Sequence, residues 1–388
     1  MKVIHWPIHM QQLAKIVILT AKVHPHICGV GDYSINLATY CQTQLNINID
    51  LIVEQGCQAS SEPVTILPYV ESWSKPGLQK LFTFLDTQNV ETVILQYTPW
   101  LYSPKGFVPD LLDFWKQCTK RFQTLLIAHE TYSWFLKYPG TWLLGILQQY
   151  VLRELVRSSD RVFSGSEPYL HRLKRFSNHP ERIHYLPIPN NILFQRLTRT
   201  HKQELRQKLA ILPEHMVLTL FGCIGSIWQP WISALDSCLL QNKYPVVWLL
   251  LGNAQSLSLP FQNPVIRPGY LSQTEFSHYL QLSSLMLMPH EFGISAKRTS
   301  LMSALEHGIP VIGTDGMLTD SFFRKLPSIV LSPDHNYSKF EQQILNSLTQ
   351  LPSLHQLAQR TQDYYKQHLS WSVVTQTLLP YLQNCSPC

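Results

Sequence analysis

Short runs of consecutive apolar residues alternate along the chain with longer stretches in which apolar positions recur every three or four residues. The runs at 15–20, 47–53, 92–96, 123–128, 161–164 and 183–186 predict short buried strands. Between them the spacing predicts helices, for example over 32–40, 109–119 and 142–156. In the last of these, apolar residues at 143, 144, 147, 151, 152 and 155 fall on one helical face. The same alternation resumes further on. Strands are expected at 217–221, 246–251, 265–267, 285–288, 311–313 and 328–331, separated by helices at 232–240, 273–281, 297–307, 340–348 and 354–365. Strands alternating with helices in this way predict parallel α/β units in both halves.

The length of 388 residues fits two domains at roughly 100–200 residues each. The polar, basic stretch 197–208 is the expected seam. Two α/β sheets in tandem commonly hold a ligand in the cleft between the carboxyl edges of their strands, so chemistry is expected on the loops leaving those edges. Apolar residues make up 45% and charged residues 14% of the chain, which excludes a disordered or supercharged protein. The net charge of +6 is mild and does not argue for nucleic acid as a partner. No run approaches the roughly 20 apolar residues of a bilayer span. The apolar run near the amino end is shorter than the roughly 7–15 residues of a signal-peptide core and reads as a first strand. A cytoplasmic location is therefore expected, and the scattered cysteines agree with it. The terminal Cys385-Ser386-Pro387-Cys388 reads as a frayed tail, because a CxxC thiol needs a helix amino terminus beneath it to become reactive.

Three loops carry candidate chemistry. His24-Pro25-His26-Ile27-Cys28-Gly29-Val30-Gly31-Asp32 follows the first strand and opens a helix. Its glycines permit close approach of a phosphate to the helix amino terminus, or simply make a strand–helix turn. Ser34 replaces the third glycine of a dinucleotide fingerprint, so that reading is excluded. The second loop, Met288-Pro289-His290-Glu291-Phe292-Gly293-Ile294-Ser295-Ala296-Lys297-Arg298-Thr299, leaves a buried strand. With Ser295 as helix cap, Lys297 and Arg298 fall in the first helical turn, where cations oppose the macrodipole by roughly 0.3–1 kcal/mol each. An anion above the turn, most naturally a diphosphate, accounts for them; two solvated cations with carboxylate partners are the plainer alternative. Third, His129-Glu130 ends one strand and Gln96-Tyr97 the preceding one. These groups suit a hydroxyl-bearing ligand or a proton transfer, or ordinary structural bonds.

No Asp-x-Asp, P-loop or Gly-x-Ser-x-Gly pattern occurs, His never pairs with Cys or Glu at zinc spacing, and the terminal Cys385–Cys388 is the one zinc-type cysteine pairing. Neither a metal site nor a cofactor is expected.

From about residue 15 to 382 the chain resembles the family 4, or group 1, glycosyltransferases. The motifs that carry this are Gly269-Tyr270-Leu271-Ser272, the loop at 288–299, Ala304-Leu305-Glu306-His307-Gly308-Ile309-Pro310, Gly29-Val30-Gly31-Asp32-Tyr33-Ser34, His129-Glu130, Ser164-Gly165-Ser166-Glu167 and Ser370-Trp371. The resemblance implies the GT-B fold of two facing Rossmann-like domains. Residues 1–198 would form the acceptor-side domain and 199–366 the donor-side domain, with 367–388 crossing back to the first. It implies a retaining, metal-independent transfer of a hexosyl group from a UDP- or GDP-sugar, the nucleotide sugar being a co-substrate.

By the same resemblance Glu291 matches a glutamate that touches the transferred sugar, and His129 the histidine near the reacting sugar. Gly293, Ile294 and Ser295 match the backbone that contacts the diphosphate, joined by Lys297, Arg298 and Gly29, Val30 and Gly31. Two departures stand out. Thr299 occupies the position of a second glutamate that grips the ribose, and the stretch 221–229 lacks the usual basic residue. Both features also fit a non-catalytic module that binds a sugar nucleotide or a partner. Gln96, Tyr97 and Glu130, with the loops 55–73 and 97–107 and the aromatics Trp73, Trp100, Tyr102, Trp134 and Tyr138, are acceptor-side candidates for an unidentified acceptor. Residues 153–208 hold twelve Lys and Arg against five Asp and Glu, a surplus that suits peripheral contact with an anionic membrane or a solvated basic face.

Overall fold

The computed structural model describes residues 15–104, 106–131 and 141–383. The contacts divide the chain into two compact units. Unit 1 runs to Gly165, returns for Tyr169–Leu186 and resumes at Val374; unit 2 takes Ser166–Pro168 and Pro187–Val373.

Among the described residues unit 1 holds a seven-stranded sheet, formed by β1 (Ile16–Leu19), β2 (Ile49–Glu54), β3 (Ile66–Val70), β4 (Thr92–Tyr97), β5 (Gln123–Ala128), β6 (Arg161–Ser164) and β7 (Ile183–Tyr185). They lie in the order β3-β2-β1-β4-β5-β6-β7, and all the pairings are parallel. The order reverses at β1 and β4, so the loops after these two strands leave opposite ways and open a crevice at the carboxyl edge. β3 was not legible in the sequence, which left residues 55–73 as a loop. Pro68 interrupts its apolar run, and proline is tolerated here because β3 is an edge strand. The stretch 197–208, expected as the seam, contains a helix, Arg199–Lys208, capped by Thr198 and with no buried residue. A helix polar on all sides gives no hydrophobic period to read.

Unit 2 holds β8 (Met216–Phe221), β9 (Val246–Leu251), β10 (Val265–Ile266), β11 (Leu285–Met288), β12 (Val311–Asp315) and β13 (Ile329–Pro333), again all parallel, in the order β10-β9-β8-β11-β12-β13. Alternate side chains feed two cores, one on each face of the sheet. Leu249, Leu251, Met286 and Met288 enter one, and Trp248, Leu250, Leu285 and Leu287 the other. The order reverses between β8 and β11, which places the loops 222–228 and 289–298 at the switch point.

The final helix, Trp371–Leu382, begins in unit 2 and ends in unit 1. Trp371 Nε1 donates to the Asn190 carbonyl at 3.0 Å in unit 2. In unit 1, Thr375 Oγ1 donates to Gln44 Oε1 at 2.9 Å, and Tyr381 Oη meets His184 Nε2 at 3.2 Å.

Candidate functional site

In unit 2 the two switch-point loops enclose a pocket of about 290 Å³. Cys223, Gly225 and Trp228 line it from the loop after β8, and residues 289–293, Ser295, Lys297 and Arg298 from the loop after β11. The second loop is shaped by Gly293, whose φ of +88° lies in the region that side chains disfavour. A Cβ there would collide with Thr319 Oγ1 and the Gly316 backbone nitrogen. The segment 316–319 is tied against the loop by Leu318 N–H donating to the Phe292 carbonyl at 2.9 Å. Ile294 is buried, and its N–H donates to the Thr314 carbonyl at 2.9 Å.

Ser295 does not cap the helix, contrary to the sequence expectation. The helix is Thr299–Glu306, and Arg298 holds the cap position by its backbone alone (φ −94°, ψ 110°). Ser295 is instead held, with its neighbour, by the fully buried Asp320. One carboxylate oxygen accepts from Ala296 N–H at 2.7 Å and from Ser295 Oγ at 3.2 Å, and the other from Glu167 N–H at 2.5 Å. The Glu167 carboxylate in turn accepts from Ser321 N–H. Burial raises the Asp320 carboxyl to about 6 against the lowering effect of these donors. Lys297 therefore lies just before the helix rather than in its first turn, and Thr299 is its first residue. Lys297, Arg298, Thr299 and Glu291 are half-buried. The cations and Glu291 line the same pocket.

Two pocket residues had no role in the sequence reading. His290 is buried beside Glu291, with Nε2 lacking a hydrogen-bond partner among the described residues, and Trp228 is buried with its Nε1 likewise unpartnered. Burial, then the charges of Arg298 and Lys297, hold the His290 imidazolium well below the usual histidine range. Strand-end placement is the one sequence signal for His290; neither that nor any spacing pattern singles out Trp228 or Asp320.

In unit 1, His129 follows β5 and is buried, with Tyr33 edge-on to its ring at 4.9 Å. Its Nε2 lies 2.6 Å from Gln96 Oε1. An amide oxygen only accepts, so Nε2 carries the proton and Nδ1 is left as an acceptor. Burial lowers the imidazole to about 4, so His129 is neutral at pH 7 and suits hydrogen bonding better than acid catalysis.

Gln96 and Tyr97 point to opposite faces of β4. The Tyr97 ring is buried in the core of unit 1, which removes it from the acceptor-side candidates. Trp73 and Tyr102 are likewise core residues, whereas Trp100 is exposed. Trp134, Tyr138 and the Cys385–Cys388 tail lie outside the described residues. Glu130 is half-buried after β5.

The first glycine loop divides. Gly29 is exposed with open space where a Cβ would stand, while a Cβ at Gly31 would collide with the Lys22 carbonyl. The absence of a side chain at Gly31 therefore serves chain packing; Val30 is half-buried and packs against the core, and Gly29 has open space around it.

No family profile matches the chain, and no curated protein sequence matches it significantly. Solved structures do. Sucrose-phosphate synthase from Thermosynechococcus elongatus matches with a TM-score of 0.67 at 12% identity, over 94% of this chain and 97% of that one. HepE from Anabaena, in complex with UDP-glucose, matches with a TM-score of 0.65 at 14% identity, over 95% and 98%. A glycosyltransferase from Rickettsia africae matches with a TM-score of 0.65 at 12% identity, over 95% and 98%. With two parallel Rossmann-like sheets and a last helix that passes from the second unit into the first, the chain has the GT-B fold.

Proposed function

We propose that the protein is a glycosyltransferase using a UDP- or GDP-sugar as co-substrate, retaining and independent of metal or other cofactor. The observation that carries this reading is the unit 2 pocket. It sits at a topological switch point and is lined by Lys297, Arg298, Glu291 and Gly293, whose backbone conformation side chains disfavour. Two cations and the Gly293–Ser295 backbone suit a diphosphate, and stabilising its developing charge lowers the barrier to its departure. Glu291 takes hydroxyls of the transferred sugar. His129, with Nδ1 free to accept, takes a hydroxyl proton as a hydrogen-bond partner, with Gly29 and Glu130 in supporting roles on unit 1. No side chain is assigned as nucleophile. HepE and an Escherichia coli trehalose-6-phosphate protein, bound respectively to UDP-glucose and UDP-2-fluoro glucose, share the fold and guide the choice of donor.

A panel of UDP- and GDP-sugars tests this. A donor at 100 times its Kd adds about 2.7 kcal/mol of stability, read as a melting-temperature rise, and slow donor hydrolysis accompanies it. Arg298→Ala is expected to weaken UDP affinity at least about tenfold by titration calorimetry, because hydrogen bonds to charged groups are worth about 1.5–3 kcal/mol. An unchanged Kd would remove the phosphate role of this loop. Thr299 and the missing basic residue at 221–229 favour the second reading, a non-catalytic binding module. A melting shift without turnover on any acceptor would support it.

A cytoplasmic location and a peripheral contact with anionic membrane complete the proposal. No described helix is long and apolar enough to cross a membrane. Helix Thr141–Ser158 does expose Trp142, Leu143, Ile146 and Tyr150 along one face, continued by Arg153 and Arg157. Aromatic and aliphatic groups followed by arginines suit an anionic lipid interface. The protein should float with phosphatidylglycerol vesicles and not with phosphatidylcholine alone, and Ile146→Glu should abolish flotation. Equal partitioning to both lipids would end the membrane reading.

A further inference from the structure

The pocket of unit 2 holds two buried side-chain nitrogens, on Trp228 and His290, that have no hydrogen-bond partner among the described residues. Trp228 is 1% exposed, with its ring fixed edge-on to Trp231 at 5.6 Å and to Tyr337 at 5.3 Å. Its Nε1–H has no acceptor among the described residues. A buried donor left unsatisfied is costly, and a phenylalanine would fill the same aromatic cluster without that cost. The Cδ1 edge of the indole, which carries Nε1, lies beside Gly225: a Cβ built there would stand 3.6 Å from Cδ1. Gly225 and Trp228 both line the pocket.

His290 lines it from the other loop and is 6% exposed. Thr314 Oγ1 pins its backbone, accepting from His290 N–H at 3.0 Å and donating to the His290 carbonyl at 2.6 Å. Nε2 is again without a partner. Lys297 and Arg298 line the same pocket as this ring.

We propose that Trp228 Nε1–H and the His290 imidazole are ligand-binding donors for diphosphate oxygens, standing in for the basic residue that the loop after β8 lacks. An indole N–H only donates, so its partner is an acceptor. A cluster of donors beside two cations suits phosphate oxygens, which only accept, over hydroxyls, which also carry a proton to be placed. A bound diphosphate would fix the His290 tautomer with its proton on Nε2. This inference rests on the donor-pocket reading above.

Calorimetric titration of UDP, UMP and UDP-glucose into the protein and its Trp228→Phe and His290→Leu variants tests it. Each variant should weaken UDP and UDP-glucose by the same factor, roughly three- to tenfold, and UMP less. Unchanged UDP affinity in both variants, or a loss confined to UDP-glucose, would overturn the assignment. A readout independent of variant folding is the set of tryptophan indole N–H resonances of the unaltered protein. One should shift downfield and exchange more slowly on saturation with UDP; no change in any of them contradicts the proposal. Failure of the unaltered protein to bind UDP at all would instead overturn the pocket reading, and this inference with it.

Discussion

Gly293→Ala is expected to destroy nucleotide binding and to cost about 3 kcal/mol of stability. At φ +88° an alanine is strained, an effect of roughly 1–3 kcal/mol. The added carbon also meets Thr319 Oγ1 and the backbone nitrogen of Gly316. Thr319 cannot simply turn away, because its Oγ1 accepts the Gly316 N–H at 2.9 Å. The neighbouring Gly316 is confined as well: a Cβ there would stand 2.5 Å from the Phe292 carbonyl carbon and 2.6 Å from Asp334 Oδ2. Relief therefore requires the loop 292–296 to part from the segment 316–319. That movement displaces the backbone of Gly293–Ser295 from the pocket. Urea unfolding gives the stability change, and calorimetry with UDP should show a loss of at least about thirtyfold. Affinity retained within threefold would mean that this backbone does not form the binding surface.

Acidification is expected to destabilise the protein steeply below pH 6.5, with Asp320 opposing the loss. Burial lowers His129 and His307 to about 4 from 6.5. Between those values the unfolded chain takes up protons that the folded protein refuses, so stability falls as pH falls. Each group contributes on the order of 3 kcal/mol when the effect is complete. His307 shows why protonation is resisted. Nδ1 donates to the Ser303 carbonyl at 2.8 Å, which leaves Nε2 to accept from Ser277 Oγ at 2.8 Å, a role that a charged ring cannot fill.

Asp320 works the other way. Its carboxyl is raised to about 6 from 3.8, so the folded state binds the proton first and gains stability as pH falls through that interval. Asp320→Asn keeps the size but offers one acceptor oxygen where the structure uses two, so the variant is weaker at neutral pH. The stability difference between wild type and variant should widen by roughly 3 kcal/mol from pH 7 to pH 4. Urea unfolding across this range measures it. A difference independent of pH, or one that narrows in acid, would show that the carboxylate is not held at a raised pKa.

Much of the sheet framework was readable because central parallel strands are buried on both sides and appear as unbroken apolar runs. β5, β6, β9 and β11 coincide with their predicted limits for this reason. Of the edge strands β3 was the one not readable, because Pro68 interrupts its apolar run; β7, β10 and β13 fall on predicted strands. At the site, the glycine and the two cations were visible as departures from what a bare helix start prefers. The helix itself begins later than expected because Ser295 resembles a cap in sequence but is bound to Asp320, 25 residues away, in the fold. His290 and Trp228 escaped notice because an unpartnered nitrogen is a property of packing. In unit 1, Tyr97 looked as available as Gln96, and only the face it takes on β4 separates them.

Binding of a diphosphate by the loop after β11 in unit 2 is central to the proposed function. A crystal structure of the protein with UDP bound addresses that most directly. The diphosphate should lie within hydrogen-bonding distance of Arg298 and of the Gly293–Ser295 backbone, in the pocket between the loops 222–228 and 289–298. Bound UDP elsewhere on the molecule, with this pocket unfilled, would contradict the account.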